Sequence, residues 1–236
     1  MRQALRRVVL ICGGVLTVVS TASANLITNG DFSSGLNGFV TNYGYMAPVT
    51  QSSCYPEMSF SIVLSPNVCH NLWADFGDHT TGTGQMMAVN GATITNAVVW
   101  AEGPATGNPG LSSLEQNTDY YFSVWAASSY PVSPADLRFV ARGNLGGSSV
   151  LGTLQLSATT GKWQQFYGTW NSGTNTGVEL DILDLNTDAY GNDFALDDLS
   201  FDTASSLSPV PEPSSLMVLV GVCLLLLSAR RRWSSQ

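Results

Sequence analysis

Short runs of alternating apolar and polar residues, separated by Gly, Asn, Pro and Ser, recur along residues 25–202. No long window there places apolar residues at the spacing of three and four that an amphipathic helix requires. Alternation with a period of two is typical of strands that bury one face, and Gly, Asn and Pro are typical of the turns between them. The pattern therefore predicts an all-β domain over residues 25–202.

Five segments show the strand pattern most clearly: 119–128, 135–143, 163–170, 177–185 and 193–201. In the first, Tyr121 and Trp125 lie on the face opposite the more apolar one, whereas in the third either face could be buried. In the last, the alternation breaks at Asp197 and Asp198, which predicts a β-bulge. Strands of this length and spacing predict two packed antiparallel sheets, a β-sandwich or jelly roll.

The first 24 residues have the pattern of a secretory signal peptide. Three arginines fall within Met1–Arg7, residues 8–19 are largely apolar, and Ala22 and Ala24 occupy the small-residue positions of a cleavage site. We expect cleavage after Ala24, so that the mature chain begins at Asn25.

The C-terminal segment, residues 210–236, follows a Ser-rich linker at 203–209 and has three parts in order. They are a Pro-Glu-Pro motif, an apolar run at 216–227 and an arginine cluster: Pro211, Glu212, Pro213; Arg230, Arg231, Arg232. The two prolines favour an extended chain, and the apolar run predicts a single short transmembrane helix. The arginines predict that the end of the chain stays on the cytoplasmic side of the membrane.

This three-part tail resembles the PEP-CTERM sorting signal of Gram-negative bacteria that produce exopolysaccharide. The resemblance implies that an exosortase-type processing enzyme recognises the tail. It also implies an exported precursor anchored in the inner membrane, which then reaches the cell surface or the extracellular matrix. Whether the tail is cleaved or replaced by another anchor is left open.

Charge and cysteine content narrow the function further. Residues 25–209 hold sixteen acidic and three basic residues, a formal charge of −13, which argues against nucleic acid as a partner. Cys12 and Cys223 fall in the terminal segments, so that Cys54 and Cys69 are left in the exported domain. Two cysteines in an oxidising compartment predict one disulfide.

Three stretches resemble the galactose-binding-like jelly rolls that include many carbohydrate-binding modules: NLITNGDFSSGLNGF, GKWQQFYGTW and GNDFALDDLSF. The resemblance implies that the first and last strands lie close together, with a structural calcium ion where they meet. Asp197 and Asp31, with backbone carbonyl groups, would supply the oxygen ligands that Ca²⁺ takes. The alternative is a bulged pair of solvated carboxylates.

Aromatic residues are the candidates for ligand binding, because sugar rings stack on exposed Trp and Tyr side chains. We select Trp125, Tyr121 and Trp73, and the wider set adds Trp100, Tyr43 and Tyr45. Most of the tryptophans are expected to fill the core instead.

The histidines, His70 and His79, have Asp75 and Asp78 between them, and such a group suggests a zinc or general-base site. The spacing fits no catalytic motif, and a hydrogen-bonded loop in DHTTGTG is the simpler interpretation.

The sequence thus predicts an exported, non-enzymatic β-sandwich that binds extracellular polysaccharide. Two alternatives stay open: a structural matrix protein that binds no glycan, and a hydrolase of polysaccharide or ester substrates.

Overall fold

The structure is a computed structural model, and it describes residues 25–104, 107–108 and 110–203 of the chain. Within those residues, ten strands form two sheets, and two 3-10 helices lie at Pro66–Val68 and Gly110–Ser112. The predicted all-β sandwich is therefore confirmed. The predicted signal peptide (1–24) and sorting tail (210–236) lie outside the described residues. None of the described helices has the length and apolar character to cross a membrane.

The strands in chain order are β1 (Gly44–Tyr45), β2 (Ser59–Val63), β3 (Met86–Asn90), β4 (Ala97–Glu102), β5 (Asp119–Ser128), β6 (Asp136–Gly143), β7 (Ser148–Gln155), β8 (Gln164–Asn171), β9 (Val178–Asp184) and β10 (Asp193–Asp202). One sheet has the order β1-β2-β3-β10-β5-β8, and the other has the order β4-β9-β6-β7. The short strand β1 pairs with β2 in parallel, and the other paired strands of the described residues are antiparallel.

The alternation of side chains decides which residues reach the core between the sheets. Along β5, the residues predicted to face inward are all buried: Tyr120, Phe122, Val124 and Ala126. In β8, where the sequence leaves the choice open, Phe166 and Trp170 join the core, so that Tyr167 faces outward. The Phe166 ring stacks on Phe139 of the opposite sheet, with ring centroids 3.7 Å apart. Each such buried ring contributes roughly 2 kcal/mol to the hydrophobic stabilisation.

The predicted bulge in β10 is confirmed. Asp197 pairs with Trp125, whereas Ser200 pairs with Ser123, so one extra residue is inserted between them. Asp198 has a φ of 49°, in the left-handed region, which fits the inserted position of a bulge. Alternation along β10 already places Asp197 on the outer face of the sheet, as it does Ala195, and the inserted residue shifts the alternation so that Leu199 faces the core.

The N-terminal segment runs beside β10, as the jelly-roll resemblance implies. The Leu26 N–H donates to the Phe201 carbonyl at 2.8 Å, and the Leu199 N–H donates to the Gly30 carbonyl at 3.0 Å. The Asn25 side chain binds the same strand, donating to the Leu199 carbonyl and accepting from the Phe201 N–H. A Cβ atom at Gly30 would lie 2.1 Å from the Leu199 carbonyl oxygen, so this contact requires glycine.

Residues 64–85, between β2 and β3, lie across part of the outer face of the six-stranded sheet, and we call them the covering segment. Cys69 in this segment forms the predicted disulfide with Cys54, with a Cα–Cα distance of 5.3 Å. Beneath it the sheet presents the small side chains of Ala88 and Ala195, which pack in one buried cluster with the disulfide and Trp73. The small residues let the segment approach the sheet closely.

We expect the paired substitution Cys54→Ala and Cys69→Ala to lower the free energy of unfolding by about 3 kcal/mol, because the crosslink restricts the unfolded chain. Urea denaturation measures the change. Addition of a reductant to the variant serves as the control and should cause no further loss. An unchanged unfolding free energy, or free thiols in the exported protein, would contradict the assignment.

Candidate functional site

The outer face of the six-stranded sheet is divided into two halves. The covering segment packs over β2, β3 and the beginning of β10, where the sheet side chains are buried. Over β5, β8 and the end of β10, partly exposed rings and the Ser200 hydroxyl group remain on the surface, and the buried Ser123 lies between them. We call this second half the aromatic platform, and its residues are Tyr121, Ser123, Trp125, Tyr167 and Ser200.

Strand pairing sets the geometry of the platform. Ser123 of β5 lies between Ser200 of β10 and Tyr167 of β8, so that the three side chains share one row across the sheet. The rings of Tyr121 and Tyr167 stack at 5.8 Å with an interplanar angle of 18°. The hydroxyl oxygens of Ser123 and Ser200 lie 3.4 Å apart. The result is a surface of aligned rings with hydrogen-bonding groups beside them.

The covering segment reaches one end of the platform through His79. Its imidazole stacks on Trp125 with ring centroids 3.8 Å apart, and its Nδ1 forms a 2.6 Å hydrogen bond with Asp198. Its backbone N–H donates to Asp197 at 2.8 Å, and the Thr80 hydroxyl donates to Asp198. One face of Trp125 is therefore occupied by His79, and the two acids of the bulge hold the segment in place.

Asp78 organises the turn that carries His79. Its carboxylate accepts hydrogen bonds from the backbone N–H groups of Thr81 at 2.8 Å and Gly84 at 2.6 Å. Burial alone would raise the pKa of Asp78, but these hydrogen bonds outweigh burial and hold its pKa below the ordinary value. A Cβ atom at Gly77 would lie 2.1 Å from the Gly82 carbonyl oxygen, so the turn is tightly closed. The DHTTGTG stretch is thus the loop that the sequence favours, and it places His79 on the platform.

Asp197 is the buried acid at the centre of this arrangement. The residue is 1% exposed, and its Oδ1 atom has no hydrogen-bond partner among the described residues. Burial raises the pKa of Asp197 to about 7, and the charge of the neighbouring Asp198 adds to the shift. A buried carboxyl oxygen without a partner is costly, unless the acid holds a proton or the oxygen binds a cation.

The other predicted calcium ligand, Asp31, lies in a groove beside the bulge. Asp31 and Asp198 line this groove, whereas Asp197 does not; the remaining lining residues are Asn25, Ile27, Asn29, Gly30, Leu199 and Ser200. One Asp31 oxygen accepts hydrogen bonds from the Ser33 N–H and hydroxyl. No three His, Cys, Asp or Glu side chains of the described residues are arranged as a metal site. A calcium ion here would need amide and backbone carbonyl oxygens as well.

The other aromatic candidates lie in different surroundings from the platform. Trp73 is 2% exposed and stacks on His70, so its ring is not open to a ligand from solvent, and the stacking role expected of it does not fit its position. Trp100 and Tyr43 are also buried, whereas Tyr45 is 44% exposed and lies on β1. Only Tyr121 and Trp125 of the six candidates lie on the platform.

The two histidines make separate contacts. His70 stacks on Trp73, and burial lowers its pKa, whereas His79 lies on the platform. Asp75 accepts a hydrogen bond from the Ser65 hydroxyl at 2.7 Å. The zinc or general-base group considered from the sequence is therefore not assembled among the described residues.

Comparison with known proteins identifies the tail and the fold. Residues 209–232 match the PEP-CTERM protein-sorting motif, which implies an exported, membrane-anchored precursor. No curated protein matches the chain.

Solved structures with a similar sandwich include carbohydrate-binding modules and an enzyme. The chain is similar to a Stig cyclase, Fisc, from Fischerella sp. TAU, with 11% identity over 78% of this chain and 99% of the other, and a TM-score of 0.52. The xylan-binding domain CBM22-1 of Paenibacillus barcinonensis Xyn10C shows 16% identity over 79% and 99%, with a TM-score of 0.48. A family 16 carbohydrate-binding module shows 15% identity over 75% and 99%, with a TM-score of 0.46. At 11% identity, the match to the Stig cyclase shows the fold alone.

The raised pKa of Asp197 predicts a pH-dependent stability. The folded state binds this proton more tightly than the unfolded chain, so the stabilisation is full below about pH 4 and is lost as the pH rises through about 7. We expect the free energy of unfolding to fall between about pH 5 and about pH 8, and Asp197→Asn to reduce this fall.

Urea denaturation in metal-free buffer measures the effect, with the exposed-site substitution Glu115→Gln as the matched control. A stability that is constant or rises over this interval, or an Asp197→Asn slope equal to the wild-type slope, would count against the buried acid.

Proposed function

We propose that this is an exported protein of the cell surface or extracellular matrix, and that its sandwich binds polysaccharide chains on the aromatic platform without catalysis. The sorting motif at 209–232 supports export and handling by an exosortase-type enzyme. The observation that carries the binding proposal is the stacked pair Tyr121 and Tyr167 beside Trp125, on an otherwise polar open sheet face.

The platform suits a sugar chain for physical reasons. Pyranose rings present flat C–H faces that pack on aromatic rings, while neighbouring hydroxyl groups exchange hydrogen bonds with the sugar hydroxyls. Ser200, which is partly exposed, supplies such a group in the same row as Tyr167, and the buried Ser123 hydroxyl lies 3.4 Å from it. Because these side chains stand on paired strands, little conformational freedom is lost when a ligand binds.

The carboxylates beside the platform favour binding over hydrolysis. Asp198 is engaged by His79 and Thr80, and Asp197 lies buried beneath the backbone of His79. Glycoside hydrolysis requires two carboxyl groups that flank the scissile bond. The acids of the bulge serve instead to fix the covering segment.

A structural calcium ion at the bulge is a further part of the proposal. The Oδ1 atom of Asp197, which has no hydrogen-bond partner in the described part of the chain, and the groove that Asp31 and Asp198 line supply oxygen atoms of the kind that Ca²⁺ prefers. Bound calcium would neutralise the adjacent acids and hold the N-terminal segment against β10.

For glycan binding, we expect Tyr121→Ala and Tyr167→Ala each to weaken retention on purified exopolysaccharide about tenfold, because each substitution removes a stacking ring. Affinity electrophoresis in polysaccharide-containing gels gives the dissociation constants. Tyr45→Ala, an exposed tyrosine outside the platform, is the matched control and should bind normally. Absence of retention by the wild-type protein, with or without calcium, would leave the structural-matrix alternative.

For calcium, we expect a chelator to lower the melting temperature of the wild-type protein, because the ion binds the folded state alone. Added Ca²⁺ should restore it. The Asp197→Asn variant should melt at a lower temperature and should no longer respond to the chelator. A variant that had lost only the His79 hydrogen bond would still respond to the chelator. Identical wild-type melting curves with and without chelator would refute the calcium site.

A further inference from the structure

A second pocket lies at the beginning of β10, whereas the platform lies near its end. Two carboxylates and four aromatic rings line it: Glu57, Asp193, Tyr55, His70, Tyr130 and Tyr190. We call it the acidic pocket. Its volume is about 90 Å³, several times what one water molecule occupies and enough for a small polar head group.

The negative charge of this pocket is not compensated by a basic side chain. Asp193 is 6% exposed, and the Oε2 atom of Glu57 is buried and has no hydrogen-bond partner among the described residues. No lysine or arginine of residues 25–104, 107–108 and 110–203 lines the pocket. Burial lowers the pKa of His70, so this ring is neutral near pH 7 and offers no positive charge. Asp193 and the Oε2 atom of Glu57 are thus buried with no cationic side chain among the described residues that line the pocket.

The aromatic rings give the pocket a second preference for positive charge. The rings of Tyr130 and Tyr190 meet edge to face at 5.9 Å, and their hydroxyl groups lie 3.1 Å apart. Tyr55 and His70 approach each other at 4.7 Å. The Tyr55 hydroxyl donates to Asn71. Aromatic rings attract cations through their electron-rich faces, so a pocket lined by such rings favours a positively charged ligand.

We infer that the acidic pocket binds an organic ammonium group, carried by an amino sugar or by a free amine. An ammonium group donates three hydrogen bonds to carboxylates and also packs on aromatic faces. Calcium, in contrast, takes six to eight oxygen ligands, and rings that crowd the carboxylates oppose such a shell. A neutral sugar would leave both acids uncompensated. This inference does not depend on glycan binding at the platform.

Protons should compete with the ammonium group for the two carboxylates of the acidic pocket. Burial raises the pKa of Asp193 to about 7, with the Trp73 indole lowering it and the charge of Glu57 raising it further. Burial and then the charge of Asp188 raise the pKa of Glu57. The titratable groups that face these two acids are Asp188, His70, Tyr55, Tyr130 and Tyr190. A bound cation favours the ionised acids, so affinity should rise from about pH 6 to about pH 8 as competing protons leave.

Isothermal titration calorimetry of the purified full-length protein tests this inference. The probes are methylammonium and glucosamine, with glucose and N-acetylglucosamine as neutral analogues, all at matched ionic strength. We expect saturable binding of both ammonium compounds and none of the neutral sugars. Tighter binding of glucosamine than of methylammonium would identify an amino sugar as the source, and equal binding would identify a free amine. Methylammonium, which stays charged, serves for the pH series.

Substitutions locate the binding. Glu57→Gln and Asp193→Asn should each weaken methylammonium binding about tenfold or more, because each removes a carboxylate that would pair with the ammonium group. Tyr190 is 65% exposed, so the fold should tolerate Tyr190→Leu, and this substitution should weaken methylammonium binding several-fold. Glu115→Gln removes one charge outside the pocket and should leave binding unchanged. Circular dichroism verifies that each variant is folded. If Asp193→Asn does not fold, the Tyr190→Leu and Glu57→Gln variants test the inference without it.

Four outcomes would overturn the inference: no saturable ammonium binding, equal binding of N-acetylglucosamine, ammonium binding unaffected by Glu57→Gln and Tyr190→Leu, or preferential calcium binding that these two variants abolish. Retention on exopolysaccharide, measured on the same preparations, separates failure of this pocket from failure of the platform.

Discussion

The outer face of the six-stranded sheet must meet water or be covered, and this constraint shapes the whole structure. The four-stranded sheet covers only the inner face of the six-stranded sheet, where the rings and aliphatic side chains of the core pack. Small residues on the outer face of β3 and β10 admit the covering segment, which the disulfide ties to the chain before β2. Over β5 and β8 the sheet instead presents Tyr121, Trp125 and Tyr167. One sheet therefore has a buried part that gives stability and an open part suited to recognition.

The bulge in β10 joins these two parts. Asp197 lies there on the outer face and Asp198 adopts a left-handed conformation, and both acids bind His79 of the covering segment. The imidazole then packs on Trp125 at the boundary of the platform. Titration or cation binding at the bulge would therefore affect both the cover and the ring that it touches. The covering segment and Trp125 are coupled at this point because the same two carboxylates hold His79 against the ring.

The sequence predicts the fold well where alternation is clear and less well where tertiary packing decides. The buried face of β5 and the bulge at Asp197 follow from local pattern alone. In β8, large rings stand on both faces, so the outward position of Tyr167 is decided only by the opposite sheet. Trp73 is buried because the covering segment folds onto the sheet, and nothing in its neighbouring residues indicates this. The contact between His79 and Asp198 joins residues 119 positions apart, which no local pattern can anticipate.

The most direct test of the central claim is to map, by nuclear magnetic resonance, which residues respond when purified exopolysaccharide is added to the protein. Binding at the open half of the six-stranded sheet predicts changed signals from Tyr121, Trp125 and Tyr167, with the four-stranded sheet unaffected. Changes confined to the four-stranded sheet, or no changes at saturating polysaccharide, would contradict the account.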